Sequence, residues 1–200
     1  MALAVKDTVM RESDNLVAEA EAMANAAMHC SNPRRYKILL RWAREIVTPL
    51  SKAGHSSAMW LLCTIPSDEK ISPEEFDARH LEQVRSAARA GSIEAKFRLA
   101  CMLDEEPSIF ESASLFADVA ATGHAHGMWC HGLNLISGTG GAKDLALGIS
   151  FILNSANLGF EGAIQFLAAA NTNGSHGFAR DLERAALWSK KLSEPSVIRY

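Results

Sequence analysis

The densest set of chemistry-bearing side chains in this 200-residue sequence lies in HAHGMWCH, residues 124–131. His126 and Cys130 are four apart, so on a helix they share one face. His124 and His131 stand close by. Imidazole and thiolate are zinc ligands, and zinc takes three or four of them. One H-x-x-x-C pair supplies two ligands, and no second pair has fitting spacing. The expectation is therefore no metal, with a metal-binding protein or enzyme at His126 and Cys130 as an alternative. A second suggestive stretch is GTGGAKD, residues 138–144. It has the glycines of a phosphate loop, but it lacks the G-K-[ST] ending and follows a helical pattern instead of a strand. NGSHGFARD occupies the same place further along the chain, so both read as turns. No G-x-S-x-G, H-E-x-x-H or Cys–His–Asp order appears in a supporting context. No catalytic residue is assigned, and neither an enzyme nor a cofactor is expected.

The elements that carry these residues follow a repeat. Gly54, Gly91, Gly123 and Gly159 align with spacings of 37, 32 and 36 residues. Four residues after each comes a small residue: Ala58, Ala95, Gly127, Ala163. Four further on stand Leu62, Leu99, His131 and Leu167, so that histidine departs from the pattern. Next come Cys63, Ala100, Gly132 and Ala168, and three residues before each glycine lie Ser51, Ala88, Ala120 and Ala156. Small residues at fixed points of a 30–40-residue period mark stacked helix pairs. Strand signals are poor, since no stretch alternates with Val, Ile and Thr.

These residues resemble the Sel-like repeat family, a relative of the tetratricopeptide repeats. The segments GGAKDLALGISFILNSANLG and NGSHGFARDLERAALWSKKL carry the resemblance best, each with a glycine four residues before a helix-opening aspartate (Gly140 to Asp144, Gly177 to Asp181). It covers about residues 40–192 and is degenerate in the N-terminal half. It implies an all-α, right-handed α-solenoid of antiparallel helix pairs, about four repeats, with an N-terminal capping helix. The expected organisation is residues 1–30 as that helix, 31–192 as the solenoid and 193–200 as a C-terminal tail. The resemblance also implies a non-catalytic protein–protein scaffold or adaptor, its partner held in a concave groove. By analogy with tetratricopeptide repeats, the groove residues are Trp60, Glu94, Arg98, His126, Cys130 and Gln165. For Trp129 and Phe97 packing is an equal reading. Relatives include toxin-neutralising proteins, so a bacterial antidote is an alternative on the same fold.

Composition narrows the partner. The net charge of −3 gives no bulk case for nucleic acid. The one basic cluster, Arg34, Arg35, Lys37, Arg41 and Arg44, reads as a solvated helix face. Its helix also carries Tyr36, Leu39, Leu40, Trp42, Ile46 and Leu50 as an apolar set. Residues 7–30 read as a helix with a near-heptad stripe of Val9, Leu16, Ala20, Met23, Ala27 and Cys30. Ser31-Asn32-Pro33 and Ser72-Pro73-Glu74-Glu75 are helix-start signals, the second a capping box. After it, Phe76, Leu81, Val84 and Ala88 are expected inward; later, Leu147, Phe151 and Ala156 share related faces. The four cysteines form no C-x-x-C and suit small core positions in a reducing compartment. The sequence shows no signal peptide or membrane span, and a cytoplasmic location is expected.

Overall fold

A computed structural model describes residues 2–67, 70–105, 107–194 and 197–198, with side chains from Thr8 onward. Among the described residues there are ten helices and no strand beyond one isolated bridge. The chain divides into two compact units, residues 1–99 and 100–200, and the boundary falls within α5 (Ile93–Met102). Unit 1 holds α1 (Ala2–Met28), α2 (Pro33–Lys52), α3 (Ser56–Thr64) and α4 (Pro73–Arg89). Unit 2 holds α6 (Ile109–Ala121), α7 (Ala125–Ser137), α8 (Leu145–Asn157), α9 (Glu161–Asn173) and α10 (Leu182–Lys191). In each unit, helices that follow one another in the chain pack together.

The aligned glycines end helices in the left-handed region, with φ of +85°, +100°, +87° and +92° at Gly54, Gly91, Gly123 and Gly159. That region costs a Cβ-bearing residue roughly 1–2 kcal/mol, which explains why glycine recurs there. The other predicted helix starts form, although of the capping box only the Ser72 half is made and the Glu75 carboxylate pairs with Arg79. Asn32 accepts from the amides of Arg34 and Arg35, with Pro33 opening α2, and Ser72 accepts from the amide of Glu75. The loop that looked like a phosphate cradle is a turn. Asp144 caps α8 through Leu147 N–H, and Asp181 caps α10 through Arg184 N–H, each at 2.9 Å.

The core of unit 1 joins Val17, Ala20 and Ala27 of α1 to Leu40, Ala43 and Val47 of α2 and to Ala58, Leu61 and Ile65. The buried residues of α1 are spaced by three and seven, with Met23 and Ala24 partly buried between them, and Ala20 and Ala27 of the expected stripe are among them. Val9 and Leu16, expected in a heptad stripe, are exposed instead. Phe76, expected inward, faces water, as do Trp42 of the apolar set on α2 and Leu147 of the set read on α8. In two cases a small neighbour, Ala43 or Gly148, holds the buried position one residue on. A helix turns about 100° per residue, so its neighbour points away. Phe76 lies in the first turn of α4, stacked on His80 at 5.7 Å, while Val84, Ala87 and Ala88 are buried further along.

Unit 2 centres on Ile152, Ala156, Phe160, Ala163, Ile164, Leu167 and Val197. The α7–α8 contact is unusually close. A Cβ on Gly148 would stand 2.7 Å from the carbonyl oxygen of Gly132, and one on Gly132 would stand 2.9 Å from that of Gly148. Three of the buried polar side chains are paired within the unit. Ser155 donates to Ala125 O at 2.7 Å, Ser112 to Ala100 O at 2.9 Å, and Asn171 to Leu167 O at 2.7 Å. In the segment read as a tail, Val197 is buried and Ile198 bridges to Phe160.

Candidate partner-binding surface

The expected groove residues belong to α3, α5, α7 and α9, the helices that begin just after an aligned glycine. Their first turns are held by the residue that follows that glycine. His55 Nδ1 accepts from Ala58 N–H at 3.4 Å, Ser92 Oγ from Ala95 N–H at 3.2 Å, and His124 Nδ1 from Gly127 N–H at 3.0 Å. An imidazole nitrogen that accepts must be unprotonated, so both histidines work as neutral caps. His55 also reaches Asp14 on α1 through Nε2 at 3.1 Å. The fourth such residue, Phe160, has no side-chain cap. There the carbonyl of Ile198 accepts from Glu161 N–H at 3.2 Å, while Ile198 N–H donates to Gly159 O at 2.8 Å.

Within unit 1 the structure brings Trp60 and Glu94 together. Both line an open cleft of about 380 Å³ whose walls include Val17, Met28, Leu61 and Pro66. Trp60 is half-buried and Met28 is 61% exposed, so the cleft offers apolar surface to an incoming group. The Glu94 carboxylate accepts from Ser92 Oγ at 3.2 Å, which fixes it at the rim. Arg98, one turn along α5, is exposed and is not part of the lining. Val17 and Met28 are among the lining residues the sequence did not single out. The signal for Val17 was its place three residues before Ala20 on the buried face of α1.

Within unit 2, His126 and Cys130 share a face of α7, as their spacing requires. His126 stacks on Phe160, with centroids 4.5 Å apart and planes 25° from parallel. Burial, and then the neighbouring His124, hold its pKa below the ordinary histidine value. Cys130 is mostly enclosed; burial pushes its thiol up to about 12, with Cys101 and Asp104 adding to the rise. Cys63, in unit 1, is pushed up to about 11 by burial. Such thiols stay protonated at neutral pH and are poor nucleophiles. Gln165 is exposed on α9 and donates to Glu161 at 2.9 Å. Trp129 packs against Phe160 and edge-on to Phe166, with centroids at 6.1 and 5.6 Å, so its ring serves the core.

Among the described residues, no three His, Cys, Asp or Glu side chains are grouped to hold a metal ion. The basic face of α2 is partly engaged. Arg44 donates to the carbonyls of Ile65 and Pro66 at 2.7 and 2.9 Å, and Arg41 lies 3.7 Å from Glu45. Among the described residues no helix is long and apolar enough to cross a membrane.

No protein-family model matches this sequence, and neither does any curated protein. Solved structures do match. A Sel1 repeat protein from Oxalobacter formigenes aligns over 90% of this chain and 73% of its own, with a TM-score of 0.65 at 15% identity. A protective antigen of uropathogenic Escherichia coli displaying an SLR fold aligns over 89% of this chain, with a TM-score of 0.66 at 17% identity. This chain spans 37% of that antigen's length. At these identities the likeness gives the fold: an all-α solenoid of the Sel1-like repeat type.

Proposed function

We propose that this protein is a non-catalytic scaffold that binds a partner protein through the exposed faces of α3, α5, α7 and α9. The observation that carries this reading is the pairing of Trp60 with Glu94 in one open, largely apolar cleft. Tryptophan and arginine are the usual energetic centres of protein interfaces, and they act best beside apolar neighbours that exclude water. Trp60 is then the anchor, Glu94 the charge that orients the partner, and Arg98 a second anchor one turn on. Gln165 supplies an exposed hydrogen-bonding group on α9, and His126 and Cys130 shape the surface of α7. The non-catalytic part is supported by the state of the reactive groups. Cys63 and Cys130 are protonated thiols, and His55 and His124 are committed to helix caps. The proposal includes a reducing, cytoplasmic setting, which suits four cysteines that form no disulfide.

The test is affinity capture from the native lysate with wild type and the Trp60→Ala/Arg98→Ala double variant as baits. The expected result is one stoichiometric protein lost from the variant, with helical circular dichroism unchanged and Kd for the purified partner raised tenfold or more. Full binding by the double variant would sink the proposal. A toxin as the captured protein would give the antidote form of the same reading.

A further inference from the structure

Several exposed glutamates of unit 1 already have a cation. Glu45, Glu75 and Glu82 each stand by an arginine, at 3.7, 3.3 and 3.4 Å. Glu21 and Glu94 do not. Among the described residues neither carboxylate reaches a Lys or Arg, and Glu94 is held only by the neutral hydroxyl of Ser92. Both are exposed, and both line the Trp60 cleft.

An exposed carboxylate on a helix is ordinarily a solvated charge that contributes little. The setting of these two is different. Val17, Glu21, Ala24 and Met28 line the cleft from α1, and their spacing of four, three and four is one face of a helix. Glu21 therefore stands in an apolar stripe that borders the cleft. Trp60 lines it from α3 and Glu94 from the first turn of α5. No Lys, Arg or His is among the lining residues. Arg44 is committed to the carbonyls of Ile65 and Pro66, and neither it nor Arg98 belongs to the lining. The α1 turn that reaches the cleft is the last of its helix, where the backbone carries partial negative charge and no basic residue offsets it.

These features select a cation on a long apolar stem. The apolar walls cover the stem, the indole attracts the charged head, and carboxylates on two separate helices accept its N–H groups. A carboxylate is repelled, and an alkyl group leaves both glutamates unmatched. An ammonium is a compact, strongly hydrated point charge, whereas a guanidinium is a plane that stacks on an indole and spreads five donors toward several acceptors. The cleft volume of about 380 Å³ is near the lower end of the range of about 300–1,000 Å³ found for small-molecule sites, and suits one long side chain. We infer that this cleft is an arginine-binding site that receives the guanidinium of a partner protein on Trp60, Glu21 and Glu94. That the arginine belongs to a protein rests on the scaffold reading above; the preference for a guanidinium does not.

The full-length, ¹⁵N-labelled protein is titrated with N-acetylarginine methylamide at neutral pH and followed by NMR at the Trp60 indole N–H, which Trp60→Phe assigns. The controls are N-acetylcitrulline methylamide, of the same shape without the charge, and Nα-acetyllysine methylamide. The expected result is a saturable Trp60 shift in the millimolar range suited to a single-residue probe. Citrulline gives at least tenfold less occupancy, and lysine binds at least threefold more weakly. Glu21→Gln and Glu94→Gln, conservative changes at exposed side chains, each weaken arginine binding threefold or more and leave helical circular dichroism unchanged. No saturable shift, or an affinity for citrulline or lysine equal to that for arginine, overturns the inference. So does an arginine response that both glutamine variants leave intact. The partner capture separates this claim from the scaffold reading. A captured partner held at full affinity by the Glu21→Gln/Glu94→Gln protein sinks the arginine site and leaves the scaffold standing. Selective arginine binding with no captured partner leaves the guanidinium site and removes the scaffold.

Discussion

In the α7–α8 hairpin the first helix ends at Gly138 in the left-handed region and the second opens at Asp144. In α9–α10 the same parts are Gly174 and Asp181. Both aspartates also donate their own N–H back to the preceding helix at 2.8 Å, to Leu135 O and Asn171 O. The turns are thus near copies, while the helices they join are held differently. Between α7 and α8 two glycines let the backbones meet. In α9–α10 the matching position to Gly132 is Ala168, and the start of α9 is closed by the backbone of Ile198, where α7 has a histidine side chain. Turn chemistry is therefore portable between neighbouring hairpins, and the stabilising contacts are local to each.

Four changes would sharpen that contrast. The largest effect is expected from Gly132→Val, which forces a branched side chain against Ile152 and the backbone of Gly148. It should cost about 3 kcal/mol or more, read as a fall in the urea midpoint. Ala168→Gly, the reverse change in the other hairpin, should cost only the helix-propensity difference of about 1 kcal/mol. Equal losses would show that the close approach is not specific to α7–α8.

Val197→Ala comes next. Val197 is 7% exposed and packs in the core that includes Phe160 and Ile164, so about 2 kcal/mol should be lost. Amide exchange should quicken in the first turn of α9 and stay unchanged in that of α7. Uniform quickening would mean that the C-terminal residues support the whole unit instead of one helix start.

Asp144→Ala and Asp181→Ala remove equivalent caps and should each cost about 1 kcal/mol. The double variant should lose their sum, because the two caps share no partner. A strongly non-additive result would couple the hairpins through their turns.

Acid gives the smallest effect and a directional one. Burial holds His126 and His131 below the ordinary histidine value, so as pH falls the unfolded chain takes up protons first. The stability they contribute is complete above about pH 6.5 and is lost as pH falls through their folded values. Hydrogen-exchange free energies at pH 7.5 and 5.5 should therefore drop in α7–α8. The α9 and α10 helices contain no histidine and should change less. His131→Leu should reduce the drop.

Much of this fold could be read in the sequence because it is written in turns. Four glycines in register, Asn32-Pro33, Ser72 and two aspartates each act through local backbone geometry, which depends on few other residues. Side-chain direction was less legible. Trp42 and Leu147 were grouped with apolar sets because they are large and apolar, yet Ala43 and Gly148 take the inward places. A close-packed helix pair selects small residues at the contact and turns large ones outward, the reverse of what hydropathy suggests. The groove residues were named as one set, whereas the structure gathers only Trp60 and Glu94 in a single cleft. His126 and Cys130 looked like ligands from spacing alone. Their burial against Phe160 and within α7 is a tertiary property that no local pattern carries. The C-terminal bridge joins residues almost forty apart in sequence, and no turn signal marks it.

The enclosure of Cys63 and Cys130 also sorts the thiols by their rates of alkylation. Maleimides and iodoacetamide consume thiolate, and these two sulfurs hold almost none near neutrality. Cys101, whose side chain faces water, is left as the sulfur most open to reagent, ahead of the half-covered Cys30. A brief, dilute treatment should therefore place a dye or spin label at Cys101 on α5, giving a reporter of partner docking from wild-type protein without removing a single cysteine.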